Sequence, residues 1–349
     1  MTWSCIFDFL RDCFRRQSGG DVLSWDAELE PHATGDFSMA AIQANSTLED
    51  QGQVYTTPSA TYIGVYDGHG GPEASRFISN HLFRHIQKYS REQGGMSEEV
   101  LRRALNAIEE DFMHMVRRSW LRQPKMVSVG SCCLVGAISN GVLYVANIGD
   151  SRAVLGWRAA HGVVAQRVST EHNVGVEEVS RSIGDMYLKK PEMSRDPLLV
   201  QYGCPIPLRR AVMSAEPSIV TRKLRPEDLF LIFASDGLWE QISDQEAVEI
   251  VLKNPRRGIA KRLARAAVSE AAKKREMKSQ DIRRIEKGTR RCYHDDITVV
   301  VVYLDHSQSS QNGKATEGRD YNNNSCTATP VDIYRLNSEQ AEDSPAISP

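Results

Sequence analysis

The sequence predicts an α+β domain in which antiparallel sheets pack together and helices gather in separate blocks. Three observations carry that expectation. Asn140-Gly141 stands between the apolar runs 130–139 and 142–148, the strongest short signal for a hairpin. Helical stripes collect in two blocks, near residues 72–119 and 243–291. Continuous strand-like runs at 61–66, 229–235 and 297–304 each abut an acid, namely Asp67, Asp236 and Asp295.

In chain order, residues 1–16 place Trp3, Ile6, Phe7, Leu10 and Phe14 on one helical face, with arginines following. A secretory signal would carry its charge first and its apolar run after, so the order fits a short interfacial helix instead. Cys5 and Cys13 are candidates for acylation; docking on the chain's own domain is the alternative. Residues 17–35 are polar and glycine-containing and read as a linker, so the first segment is 1–35. Gly71-Pro72 opens a helix with the stripe Phe77, Ile78, Leu82 and Ile86. Ser97 caps a second helix, whose stripe runs through Leu101, Ala104, Ile108 and Phe112. The runs 130–139, 142–148 and 152–157 read as one antiparallel meander. Ser243 with Glu246 forms a capping box, residues 255–291 form a basic helix or helix pair, and 297–304 is a strand buried on both faces. Residues 36–305 thus form one domain, and 306–349, rich in Ser, Asn, Gln and Thr, read as a disordered tail.

Composition excludes several function classes. The net charge of −2 over 349 residues gives no global field for nucleic acid. Seven scattered cysteines without a CxxC argue against a disulfide framework or a zinc site and for a reducing compartment. No stretch is long and apolar enough to cross a bilayer. What remains is an unusual set of carboxylates at strand ends, two of them followed by glycine: Asp67-Gly68 and Asp236-Gly237. Hard oxygen ligands converging from distant segments are how proteins hold Mg²⁺ or Mn²⁺, and core packing gives no reason for such acids. Metal-dependent chemistry on phosphate is the expectation.

The motifs Glu49-Asp50, Asp67-Gly68-His69-Gly70-Gly71, Gly149-Asp150-Ser151-Arg152, Ser180-Arg181-Ser182-Ile183-Gly184-Asp185, Ser235-Asp236-Gly237 and Asp295-Asp296, in this order, resemble the PP2C-type metal-dependent protein Ser/Thr phosphatases. The resemblance covers about residues 36–305 and is greatest to the plant clade D members. It implies a sandwich of two antiparallel β-sheets flanked by helices, with two Mn²⁺ or Mg²⁺ ions at one edge and a weaker third. By resemblance Asp67 bridges the two ions and the Gly68 carbonyl joins one of them. Asp236 and Asp295 serve the other, and Glu49 and Asp50 form the acidic pair beside the first strand. His69 matches the proposed general acid; a structural partner of a metal-ligating carboxylate is its other reading. Asp150 matches the third site, and Glu240 stands where many relatives have Asp. For Asp150 and Asp185, acids fixing tight turns are the alternative. Arg152 reads as a phosphate contact or as the partner of a nearby acid.

Two departures stand out. Many relatives have an arginine at the position of Asn45, where a guanidinium grips phosphate in a way that an amide cannot. After Glu171-His172-Asn173 the chain runs almost directly into Ser180, where a helix and two strands, on the order of 25 residues or more, are expected. Hence two function classes stay open: a Ser/Thr phosphatase, or a shortened pseudophosphatase that binds phosphoproteins or regulators without turnover. Resemblance further implies phosphoprotein substrates, among them plasma-membrane proteins, and small inhibitory regulators; a monomer is expected. The expected location is cytoplasm or nucleus, the latter from the basic runs 273–275 and 283–291, with peripheral membrane contact through residues 1–16.

Overall fold

The computed structural model describes residues 23–172, 180–195, 208–305 and 331–332. One six-stranded sheet has the order β1 (Leu23–His32), β2 (Gly35–Ile42), β16 (Ile297–Tyr303), β15 (Asp228–Ala234), β9 (Arg152–Ala159) and β10 (Gly162–Arg167). The other has the order β14 (Ser218–Lys223), β8 (Val142–Ile148), β7 (Cys133–Ser139), β4 (Ala60–Tyr66), β3 (Gln51–Thr57) and β17 (Val331–Asp332). Every pairing in both is antiparallel. Short strands β5 (Gly68–His69), β6 (Gly130–Ser131) and β12 (Ile183–Gly184) form a ladder at the edge, and β11 (Ser180–Arg181) pairs in parallel with β13 (Met213–Ser214).

The period of two along each strand divides the core into layers. Phe37, Met39 and Ala41 of β2 face the second sheet and meet Ile63, Val65, Leu134 and Phe233, whereas Ala40 and Ile42 face the helices. On β16, Val300 and Val302 point inward and Val299 and Val301 outward, which is why the run is apolar throughout and wholly buried. Each such side chain contributes about 1.5–3 kcal/mol by leaving water. Gly136 lets the sheets close, since a Cβ there would lie 2.5 Å from the Phe233 ring. Helices Asp244–Lys253 and Ile259–Lys274 cover the first sheet through Val248, Leu263 and Ala267. Helices Glu73–Gln93 and Glu98–Ser119 cover the second through Ile78, Leu82, Leu101 and Leu105. The layers run helix, sheet, sheet, helix, and the expected sandwich is what forms.

Local signals behave as expected. Ser97 Oγ accepts from the Val100 N–H, and Ser243 and Glu246 complete a capping box. Asn140 and Gly141 both take positive φ in the hairpin turn.

Three expectations change. Leu23–His32, inside the stretch assigned to a linker, is an edge strand paired with β2. The meander breaks at Gly149–Ser151, because β9 leaves the second sheet and joins the first beside β15. The basic stretch is helix Ile259–Lys274, a short helix Ser279–Arg284 and a 3₁₀ turn Thr289–Cys292. The expected helix within residues 1–16, most of the tail, and the junction at 173–179 lie outside the described residues.

Candidate metal centre

The breaks between the sheets bring the acids together. Asp67 leaves the end of β4, Asp236 opens the helix Asp236–Trp239 after β15, and Asp150 sits in the turn where the chain changes sheets. One carboxylate oxygen from each lies within 4.8 Å of the others, and all three residues are half-buried. Asp50, Glu49 and Asp295 stand beside this trio rather than in it. Asp50 is fully buried and accepts from Ser235 Oγ at 2.8 Å. Asp295 Oδ1 accepts from the Asp296 N–H at 2.7 Å. The Asn45 amide spans Asp295 and Glu49, 3.4 Å from an oxygen of each. Gly68 has no room for a side chain: a Cβ would lie 2.6 Å from the Glu49 carbonyl oxygen.

The electrostatics of this cluster test whether a cation fits. Burial, and then the charges of Asp50, Asp236, Asp295 and Asp150, push the Asp67 carboxyl well above the ordinary range. Burial and the neighbouring Asp296 and Asp295 do the same to Asp50. Asp236 is pushed up to about 7 by burial, Asp150 and Asp295. Asp50 Oδ1 and Asp236 Oδ1 are buried without a hydrogen-bond partner. Acids held close, desolvated and short of donors are costly unless positive charge enters among them. An all-oxygen donor set of this kind fits a hard divalent cation.

His69, beside the trio and half exposed, has its Nε2 2.7 Å from Asp185 Oδ2. Burial pulls the imidazole pKa down, but the bond and charge of Asp185, with Asp150 and Glu49, outweigh it, and the net shift is upward. Asp185 is a left-handed residue at φ 49°, fixed by Ser182 Oγ at 2.6 Å. Gly130 leaves space for the pair, since a Cβ there would fall 2.1 Å from Asp185 Oδ2 and 2.5 Å from His69 Nε2. Behind them Lys189 Nζ donates to Glu109 Oε1 at 2.7 Å and to the Ser182 carbonyl at 2.6 Å, while the Gly184 N–H reaches Glu109 Oε2. This buried pair ties the 182–185 loop to helix Glu98–Ser119.

Of the acids singled out in the sequence, Asp67 and Asp236 lie together with Asp150, while Asp295, Glu49 and Asp50 stand beside that trio. Asp185 is the histidine's partner, a role no local pattern announced. Arg152 is claimed by Glu171 and Asp244 and lies over Trp239, so its acid-partner reading holds. Asp296 is structural: its Oδ1 accepts the N–H groups of Ala44 and Asn45, and its Oδ2 that of Glu49. Glu109 and Lys189 went unremarked in the sequence, where an acid and a lysine on separate helices carry no signal of contact.

A family model, protein phosphatase 2C, matches residues 42–177 and 157–279. Probable protein phosphatase 2C 78 of Oryza sativa subsp. japonica is 57% identical over 357 residues, covering 93% of this chain and 90% of the relative. Probable protein phosphatase 2C 63 of Arabidopsis thaliana is 56% identical over 369 residues, covering 95% and 96%. Both alignments exceed this chain's own 349 residues, so the relatives carry residues that this chain skips. Among solved structures, the serine-threonine phosphatase 2C from Toxoplasma gondii superposes with a TM-score of 0.61 at 14% identity, covering 80% of this chain and 98% of that one. Sheet order, acid cluster and sequence similarity lead to one conclusion: the chain belongs to the protein phosphatase 2C family.

Proposed function

We propose that the chain hydrolyses phosphoserine and phosphothreonine in proteins, using two Mn²⁺ or Mg²⁺ ions. The observation that carries this is the trio Asp67, Asp150 and Asp236, converging within 4.8 Å, with the carboxyl pKa of Asp67 and Asp236 raised and one Asp236 oxygen without a partner. Asp67, Asp236, Asp295, Glu49, Asp50 and the Gly68 carbonyl would hold the ions, and Asp150 a weaker third. Bound there, divalent ions supply positive charge to the phosphoryl oxygens and make a water nucleophilic near neutral pH.

The chain's own residues do the rest. Asp185 occupies His69 Nε2 and raises the affinity of the ring for its proton. Nδ1 is then the nitrogen left to protonate the departing serine or threonine oxygen. The Glu109–Lys189 pair holds Asp185 in its left-handed turn and so fixes the ring. Ser75 Oγ, bonded to the Glu49 carbonyl, ties the Glu49-Asp50 corner to helix Glu73–Gln93. Among the described residues no side chain is placed as a nucleophile: Cys132, 3.2 Å from Asp150, has its thiol pKa pushed well up by burial.

A second reading, a binding-only shortened isoform, draws support from the skipped residues and from the family match. That match falls in two pieces overlapping at 157–177, next to the abrupt run into Ser180. Phosphoprotein substrates follow from the family. Small inhibitory regulators, a monomeric state and a peripheral plasma-membrane, cytoplasmic or nuclear location are part of the proposal and rest on sequence. Among the described residues no helix is long and apolar enough to cross a membrane.

The test is hydrolysis of a phosphothreonine peptide with Mn²⁺, with chelator, and by Asp236→Asn. Metal-dependent turnover abolished in the variant supports the enzyme. A cooperatively folded chain without turnover supports the binding-only isoform.

A further inference from the structure

Beside ions held by six carboxylates, a phosphoryl dianion would gain further from a cation of the protein's own, and the chain's arginines differ in what they have left to offer. Position 45 presents a neutral amide, 3.4 Å from two acids. Arg152 is spent on Glu171 and Asp244 and is only 13% exposed. Arg290 is buried and spent on backbone carbonyls, donating to Gln43 and Ile285 at 2.9 Å. Its neighbour Arg291 points the other way. One guanidinium nitrogen sits 2.6 Å from Asp295 Oδ2, and the side chain is 53% exposed, which leaves most of its donors free at the rim of the centre.

The mount is built for this. The turn Thr289–Cys292 is pinned to the segment that carries Asn45: the Gly288 N–H donates to the Ala44 carbonyl at 2.7 Å, and Lys287 Nζ to Gln43 Oε1 at 2.8 Å. Arg290 clamps the same segment from beneath.

We infer that Arg291 grips the substrate's phosphoryl group, supplying from the 3₁₀ turn the guanidinium that position 45 lacks. The inference rests on the phosphatase reading. A half-exposed arginine exchanges one carboxylate oxygen for a phosphoryl oxygen at little cost, and its fork suits either.

The experiment uses the full chain at saturating Mn²⁺. It compares wild type, Arg291→Ala, Arg291→Lys and the double variant Arg291→Ala/Asn45→Arg. The readouts are KM for a phosphothreonine peptide, inhibition by inorganic phosphate, and the Mn²⁺ half-saturation. Calorimetric binding of inorganic phosphate to the Mn²⁺-loaded protein serves as a readout independent of turnover. Arg291→Ala should raise KM and weaken phosphate binding about tenfold, with a smaller change in kcat. Lysine should recover part of the loss, and arginine at position 45 most of it. Unchanged KM and phosphate binding in Arg291→Ala overturn the inference, as does a shift confined to Mn²⁺ half-saturation, which would make Arg291 a structural partner of Asp295. A wild type without turnover overturns the phosphatase reading instead, and the calorimetric comparison then still decides the role of Arg291.

Discussion

Asp296 and Asp236 are both acids at the end of a buried strand of the same sheet, and they do opposite things. Asp296 is 1% exposed, yet its two oxygens take three backbone N–H groups from the 44–49 segment. Asp236, with Asp67 and Asp150, has an oxygen with no donor and a carboxyl pKa raised to about 7. The difference teaches that burial alone does not make an acid reactive. A carboxylate fed by donors fixes a loop, and a carboxylate denied them among like charges waits for a cation.

The sharpest way to break this comparison is to neutralise one member of the starved group. Asp236→Asn should lower Mn²⁺-dependent turnover by about a thousandfold or more, because an amide neither carries charge nor holds a hard cation well. The same variant should melt higher than wild type in chelator at neutral pH, since it removes repulsion. Peptide hydrolysis and calorimetric melting check the two halves separately. A variant that loses both activity and stability would place Asp236 with Asp296.

Asp296→Ala should do the reverse. Three N–H groups lose their acceptor, at a cost on the order of 2–4 kcal/mol, read from denaturant midpoints. Asp296→Asn should fall between, because one oxygen remains to accept.

The pH dependence follows from the sign of the shift. Asp236 binds its proton more tightly folded than unfolded, so its contribution to stability is present at acidic pH and is lost as pH rises from about 4 through 7. In chelator the melting temperature should therefore fall over that window, and Asp236→Asn should flatten the fall. The smallest expected effect is at Asp185→Asn. His69 should lose the partner that raises its pKa, and the alkaline limb of the kcat profile should move to lower pH.

Much of the fold was legible because it is local. The Asn140-Gly141 turn, the serine caps and the two-faced run of β16 are dictated by neighbours in sequence. The β1 strand was misread as linker on its polarity, although Leu23, Trp25, Ala27 and Leu29 alternate with polar residues. The acids at strand ends stood out as a group, and the fold brings two of them, Asp67 and Asp236, together with Asp150 from a turn. What stayed hidden depends on tertiary contact. Asp295 and Asp296 are identical in type and adjacent, and only the 44–49 segment, some 250 residues away, separates their roles. The partnership of His69 with Asp185 spans 116 residues. The move of β9 from one sheet to the other turns on Gly149 at φ 106°, a bend whose direction no period predicts.

That move has a mechanical consequence. Asp67 hangs from one layer, Asp236 from the other, and Asp150 from the strap of chain that passes between them. Repulsion among the three therefore acts as a wedge driven into one end of the sandwich. Whatever neutralises them would act as a clasp across the seam, so the charge at this end and the cohesion of the two layers would be set by the same occupancy.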